Sequence, residues 1–385
     1  MLRRVELVSA LPLGNGSSFE RQLRLLAAAF ERKGIRSQLR RPAEAAGNGG
    51  GAAPQARIVL GYPDQLVELR AARAFDALRP DGQGRAPLFL WSQLSRPLRQ
   101  SEREHLADVH PVALTPRTAA HLADLSRDGE EVPVIPHGVD TGLFAPPRPE
   151  PEGAARDVPL QTPPPSLPAL RERLGLGDAF VVGTVAAHSY RKRFDRIFQS
   201  FALFHESLAP LRAQALLVVK TDRVRSIDGR DLERLAEASG IAPWTRFVQG
   251  DWSDVDLAAL YRCFDLYLNL SEWEGFCIPV AEAMASGVPV VTHDVQGPAE
   301  IVPYRDLIVE GSAERRDEGV LLLDADPGEV SSVLGRAFHD PDLRRRLSIA
   351  GREASVAKLD INVVAARWIE LIERSVAAAP PSVDD

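Results

Sequence analysis

Cysteine is almost missing from this chain. Its 385 residues include only Cys263 and Cys277, too few for a disulfide framework and not arranged as the CxxC pairs of a zinc site. A reducing, cytoplasmic setting is the expectation. No apolar run approaches the roughly 18 residues that span a bilayer. The opening "MLRRVELVSALPLG" is broken by Glu6 and alternates like a strand, so it does not read as a signal peptide. Positive charge is not in excess: the net charge of -7 argues against nucleic acid as a partner, because neutralising phosphates needs a dense basic surface. No strand-to-helix turn carries GxGxxG. "GNG", Gly14 to Gly16, has Phe19 where the third glycine would stand, which leaves a phosphate approach or a plain tight turn and sets aside the nicotinamide fingerprint. Clustered acids for a divalent metal are lacking too. The strings Asp254 to Asp256 and Asp324 to Asp326 sit where helix capping and turn roles suffice, so no metal and no cofactor are expected.

What is present is a βα alternation, stated twice. The length points to two domains. "VELVSA", "ARIVLG", "PLFLW", "PVALT" and "VPVIP" read as buried strands separated by helical patterns, the first of these being Phe19, Leu23, Leu26 and Phe30 at helical spacing. The Gly- and Ala-rich tract from Pro42 to Pro54 reads as a loop. From Pro146 to Pro168, "PPRPEPEGAARDVPLQTPPPSLP" excludes a regular helix or a central strand. Beyond it "FVVGTVA", "QALLVVK", "TRFVQG", "LYLNL" and "VPVVTH" repeat the alternation. The expected architecture is α/β: an N-terminal doubly wound domain over 1–145, a linker over 146–170, a second domain over 171–360, and a terminal helix at about 361–378. Such folds bind ligands at the carboxyl ends of their strands, here in a cleft between the two sheets.

The loop after "LYLNL" holds most of the expected chemistry. In "SEWEGFCIPVAEAMASGVPVV", Ser271 to Val291, Pro279 suits a first helical turn and Gly287 a helix end. Ile278, rather than Ser, Thr, Asp or Asn, precedes that proline, so the free N–H groups of the helix entrance suit an anion such as phosphate. Glu282, expected in the first turn, and Glu274, in the loop, then serve as acceptors for sugar hydroxyls; a dipole-favoured helix acid and a solvated loop acid are the plainer alternatives. In "SYRKRFD", Arg191, Lys192 and Arg193 follow a strand, as a diphosphate clamp or as a solvated patch. His137, in "IPHGVD", is open to a hinge, cleft-loop or catalytic role. Arg21, Arg24, Arg32 and Lys33 on the helix at 19–33 leave peripheral membrane association beside a solvated face.

These segments carry a family resemblance. "EGFCIPVAE", with seven residues between Glu274 and Glu282, resembles the E-x7-E motif of the retaining GT-B glycosyltransferases of family 4, and "AMASGVPVVTHDVQGPAEIV" continues their text. "IPHGVDTGLF" and "VVGTVAAHSYRKRFDRIFQSFA" are similar to the same family in the same order, over about residues 130 to 375. The resemblance implies two Rossmann-like domains facing a cleft, with the donor held mainly by the C-terminal one. It implies retention at the anomeric carbon, no obligatory metal, and a final helix crossing back to the N-terminal domain. It also implies that Glu274 contacts donor-sugar hydroxyls and Glu282 the ribose. The backbone at Gly275, Phe276, Cys277 and Ile278 meets the diphosphate or sugar, Lys192 neutralises the leaving phosphate, and Gly16 approaches from the other domain. Three departures stand out. The family arginine after the strand is Ala187 or His188 here, leaving Arg191 or Arg193 to substitute; the second glycine of the GFG text is Cys277; and the family histidine after a strand like "PLFLW" is absent, with Gln93 or Ser92 in its region.

The expectation is a retaining, metal-independent hexosyltransferase acting between a UDP-, GDP- or ADP-sugar and a glycan, lipid or small-molecule acceptor. A non-catalytic nucleotide-sugar-binding subunit and a GT-B-fold epimerase or phosphorylase are its rivals.

Overall fold

A computed structural model describes residues 2–11, 17–41, 54–71, 86–94, 96–126, 130–147, 167–209, 211–225, 229–315 and 321–378. Gly14, Gly16, all but the last residue of the Pro42 to Pro54 tract, and residues 148–166 of the proline-rich segment lie outside them. The chain forms two compact units, one of Met1–Gly138 with Lys358–Asp385 and one of Val139–Arg316 with Leu321–Ala357.

The first unit is built on a parallel sheet of β1 (Arg4–Ser9), β2 (Arg36–Arg40), β3 (Ala56–Leu60), β4 (Leu88–Ser92) and β5 (His110–Ala113), in the order β2-β1-β3-β4-β5. β3 and β4 are buried along their whole length, as expected of a sheet covered on both faces. Ser17 caps the helix Ser18–Arg32 by accepting from the Glu20 N–H at 3.3 Å, and its apolar positions Phe19, Leu23, Leu26 and Phe30 are all buried. The edge strand β2, "RSQLR", has no fully buried residue and therefore no apolar signal in the sequence. "VPVIP" is not a strand: it touches the sheet through a single bridge between Ala113 and Val134, because Pro133 and Pro136 have no N–H to give to a ladder. The helix Ile361–Ala378 belongs to this unit. Trp368, fully buried, meets Phe89 and Trp91 edge-on with ring centroids at 5.7 and 5.5 Å.

The chain leaves the first unit inside "IPHGVD", earlier than the proline-rich tract suggested. Gly138 is held by the Gln22 amide, which donates to its carbonyl at 3.0 Å and accepts from its N–H at 3.1 Å. Residues after it belong to the second unit. There Arg262 donates to the carbonyls of Leu143 and Ala145, and Arg352 to those of Thr141 and Phe144.

The second unit's sheet comprises β6 (Phe180–Val185), β7 (Ala215–Thr221), β8 (Thr245–Gln249), β9 (Leu266–Asn269), β10 (Val290–His293) and β11 (Ile308–Val309), all parallel, in the order β11-β10-β9-β6-β7-β8. In order of appearance this is 6-5-4-1-2-3, a doubly wound sheet whose winding reverses between β6 and β9. The two loops that leave that point are Ala186–Arg193 and Leu270–Cys277. An antiparallel hairpin of β12 (Gly311–Arg315) and β13 (Leu321–Ala325) adds to this unit. It is tied to the second loop where the Leu323 N–H donates to the Glu272 carbonyl at 2.9 Å.

Candidate functional site at the switch point of the second sheet

After β6 the chain makes a single tight turn at Tyr190–Lys192 and enters the helix Phe194–Ser207 through Arg193, whose φ is 48°. After β9 it reaches the helix Ile278–Ala285 through Cys277, whose φ is 72°. Among the described residues these are the only two non-glycine positions with positive φ, and they flank the same point of the sheet. Backbone strain of about 1–3 kcal/mol at such a position persists only where the surroundings enforce it. Behind the second loop, a Cβ on Gly297 would come within 2.9 Å of the Phe276 backbone, so glycine is what lets the segment after β10 press against it.

The two loops are joined by backbone and charge. The Glu272 N–H donates to the Arg191 carbonyl at 2.8 Å, and the Arg191 guanidinium lies 4.9 Å above the Trp273 ring. Glu274 is 5% exposed. Its carboxylate receives the Lys192 ammonium on one oxygen and, at 2.8 Å, the Arg191 guanidinium on the other. Burial would raise the Glu274 pKa; the nearby Lys192 and then Arg191 outweigh it and hold it at about 2. Lys192 is itself 7% exposed, whereas the Arg191 side chain keeps 31% of its surface. Two cations meet one acid here, leaving one positive charge beside a helix entrance.

That entrance has no side-chain cap, as the apolar residue before the proline suggested, but the cap position is Cys277, one residue earlier than Ile278. Pro279 occupies the first turn. Glu282 does not: it is the fifth helical residue, 2% exposed, and its carboxylate accepts from the Tyr261 hydroxyl at 3.0 Å. The Cys277 thiol is buried, which pushes its pKa up to about 12, and its sulfur accepts from the Asn269 amide at 3.5 Å. Its left-handed φ is the conformation that glycine, the residue of the GFG text, reaches without steric cost, and Cys277 adopts it with a side chain in place.

Arg193 is not part of the cluster around Glu274. Its guanidinium pairs with Asp195 at 3.0 Å and Asp324 at 3.1 Å, with Glu272 at 3.9 Å, which pins the hairpin to the helix after β6. Asp324 also takes Arg196, so its role is ionic rather than a turn or cap. Capping does describe the other acids: Asp326 accepts from the Glu329 N–H, and Ser253 caps the helix holding Asp254 and Asp256. His188 contributes its N–H to Asp222 at 2.7 Å.

The remaining candidates lie in the first unit. His137 is 2% exposed and edge-on to Trp91, with centroids 4.9 Å apart; burial lowers its pKa to about 3. This is a neutral, packed histidine at the exit from that unit. Gln93 donates to the Tyr62 hydroxyl at 2.6 Å, and Ser92 is fully buried on β4. Sequence reasoning missed Tyr261, Asn269, His293 and Gly297, which support the loop after β9 and the helix it enters. Of these only the strand-end positions of Asn269 and His293 gave any signal.

Residues 168–354 match the family model of glycosyl transferases group 1. Among curated relatives, the chain is 29% identical over 265 residues to MMP alpha-(1->4)-mannosyltransferase of Mycolicibacterium hassiacum, covering 66% of this chain and 51% of that protein. It is 29% identical over 215 residues to the GDP-mannose-dependent alpha-mannosyltransferase of Mycobacterium tuberculosis, covering 55% and 47%. The chain thus spans about half the length of these relatives. The crystal structure of Anabaena HepE in complex with UDP and glucose superposes with a TM-score of 0.68 at 16% identity, covering 97% of this chain and all of that one. The chain is a GT-B-fold protein whose residues 168–354 match the glycosyl transferases group 1 family.

Proposed function

We propose that the chain transfers a hexose from a nucleoside-diphosphate sugar to an acceptor, with retention at the anomeric carbon and without a metal. The observation that carries this is the buried Glu274 held between Lys192 and Arg191 at the switch point, beside an uncapped helix end. An incoming diphosphate takes the two cations and the N–H groups of the entrance. Glu274, released from them, accepts hydrogen bonds from sugar hydroxyls. Charge on the departing diphosphate grows as the glycosidic bond breaks, and fixed cations in a water-poor site stabilise that charge without reorganising. Lys192 is the principal counter-charge, Arg191 the second. Glu282, oriented by Tyr261, serves the ribose, and the backbone from Gly275 to Ile278 meets the phosphates. Retention is supported by the resemblance of residues 274–282 to retaining enzymes; no protein nucleophile is assigned, and the acceptor attacks from the face the diphosphate leaves.

GDP-mannose is the first donor to try, because two relatives are named as mannosyltransferases and one of them as GDP-mannose-dependent; UDP-glucose is the second. The test is turnover of each donor over an acceptor panel with EDTA present, reading the anomeric configuration of the product by NMR. An α-linked product from the α-linked donor supports the proposal. Inversion, or loss of activity with EDTA, contradicts it. Ala187 and Cys277, where the family has arginine and glycine, favour one rival, a binding subunit without turnover; tight donor binding with no product on any acceptor would establish it.

A further inference from the structure

We propose that His293 is a positioning residue that holds the Glu274-bearing loop in its donor-binding shape; the inference rests on the reading of that loop given above. His293 closes β10 and is fully buried. Its Nε2 lies 2.8 Å from the Ser271 carbonyl oxygen. A carbonyl only accepts, so Nε2 carries the proton and Nδ1 is the bare nitrogen. That Nδ1 has no hydrogen-bond partner and faces Gly311, where a Cβ would stand 3.0 Å away.

Ser271 is the second residue of the loop, and three further ties hold the same stretch. The Asn269 amide, on the neighbouring strand end, donates to Ser271 Oγ at 3.1 Å and to Cys277 Sγ. Glu272 is fixed by its N–H to Arg191 and by its carbonyl to Leu323. Glu274 then meets Lys192 and Arg191. His293 is the one side chain in this set that crosses from β10, and it sits under the point where β9, the loop and the hairpin meet. Its neighbours in charge are Asp324, Asp294 and Arg193, while burial keeps the ring neutral. A purely structural histidine would need only to fill space. This one uses its single donor on the second residue of the loop, while its buried Nδ1 makes no hydrogen bond to the described residues.

The experiment compares His293→Leu, which fills the space and removes the donor, with His293→Gln, whose Nε2 restores a donor at about the same reach. Hydrogen–deuterium exchange of the 271–277 amides and the affinity for GDP-mannose and UDP-glucose are read for each. Loss of one buried hydrogen bond predicts roughly tenfold faster exchange in the loop and roughly tenfold weaker donor binding for His293→Leu. His293→Gln is expected to recover most of both. Unchanged exchange in His293→Leu, faster exchange with unaltered donor affinity, or a His293→Gln as defective as His293→Leu would each overturn the proposal. If the unsubstituted chain bound neither nucleotide sugar, the proposed function would fall, and the exchange data alone would judge His293.

Discussion

Replacing Lys192 by methionine keeps the length of the side chain and removes the ammonium that Glu274 faces. Glu274 is held at about 2 against an ordinary 4.5, although burial works in the opposite direction; that gap corresponds to about 3 kcal/mol of stabilisation at neutral pH. Lys192 is the larger of the two cationic contributions and burial opposes both, so its loss removes at least about 2 kcal/mol, leaving Arg191 as the partner. The group's folded pKa is depressed, so its stabilisation is present above pH 4.5 and lost as pH falls toward about 2. Lys192→Met is therefore expected to lower stability at pH 7 and to flatten the decline between pH 4.5 and 3. Urea unfolding across that range, followed by circular dichroism, reads both. The same variant is expected to lose about 100- to 1000-fold in kcat with GDP-mannose, the magnitude of removing one group that stabilises developing charge. Equal pH slopes for the variant and the unsubstituted chain, or kcat within about threefold, would refute the role of Lys192.

Cys277 at φ 72° lies in the left-handed region, where a side chain branched at Cβ is strained. Cys277→Val is expected to cost about 2 kcal/mol and Cys277→Gly to cost little or nothing, checked by thermal unfolding. Tyr261→Phe strips the Glu282 carboxylate of a buried donor and should destabilise by about 1–3 kcal/mol while weakening donor binding, which calorimetry can separate. His137 is buried neutral, with a pKa near 3 against the ordinary 6.5. Its stabilisation is present above pH 6.5 and is lost as pH falls. His137→Leu should therefore remove about 2 kcal/mol of the stability difference between pH 7 and pH 5, measured by denaturant midpoints at both.

Much of this site could be read from residue type and order. Pro279 and Gly287 marked the two ends of the helix Ile278–Ala285 to within about a residue, because both act through backbone chemistry that depends on no neighbour. The buried strands β3, β4, β6, β7 and β9 announced themselves as apolar runs, whereas the polar edge strand β2 and the mixed hairpin β12–β13 did not. The nearness of "SYRKR" to "EWEG" has no local signal in the sequence. It became geometry only through the strand order, which puts β6 beside β9 although more than 80 residues separate them. Arg191 and Lys192 turn to Glu274 while Arg193 turns away, since a positive φ at Arg193 swings it toward Asp195 and Asp324. No local pattern encodes that divergence. Likewise the partner of Glu282, Tyr261, comes from the preceding helix, a pairing that one-dimensional spacing does not contain.

In the proposed function Arg191, Lys192 and the entrance at Cys277 and Ile278 seat a diphosphate while Glu274 turns to the sugar. A crystal structure of the chain with GDP-mannose tests it most directly. The expected result is diphosphate oxygens within hydrogen-bond distance of Lys192 Nζ, the Arg191 guanidinium and the entrance N–H groups, with Glu274 on sugar hydroxyls. A donor bound elsewhere, with the ion pairs of Glu274 to Lys192 and Arg191 unbroken, would contradict it.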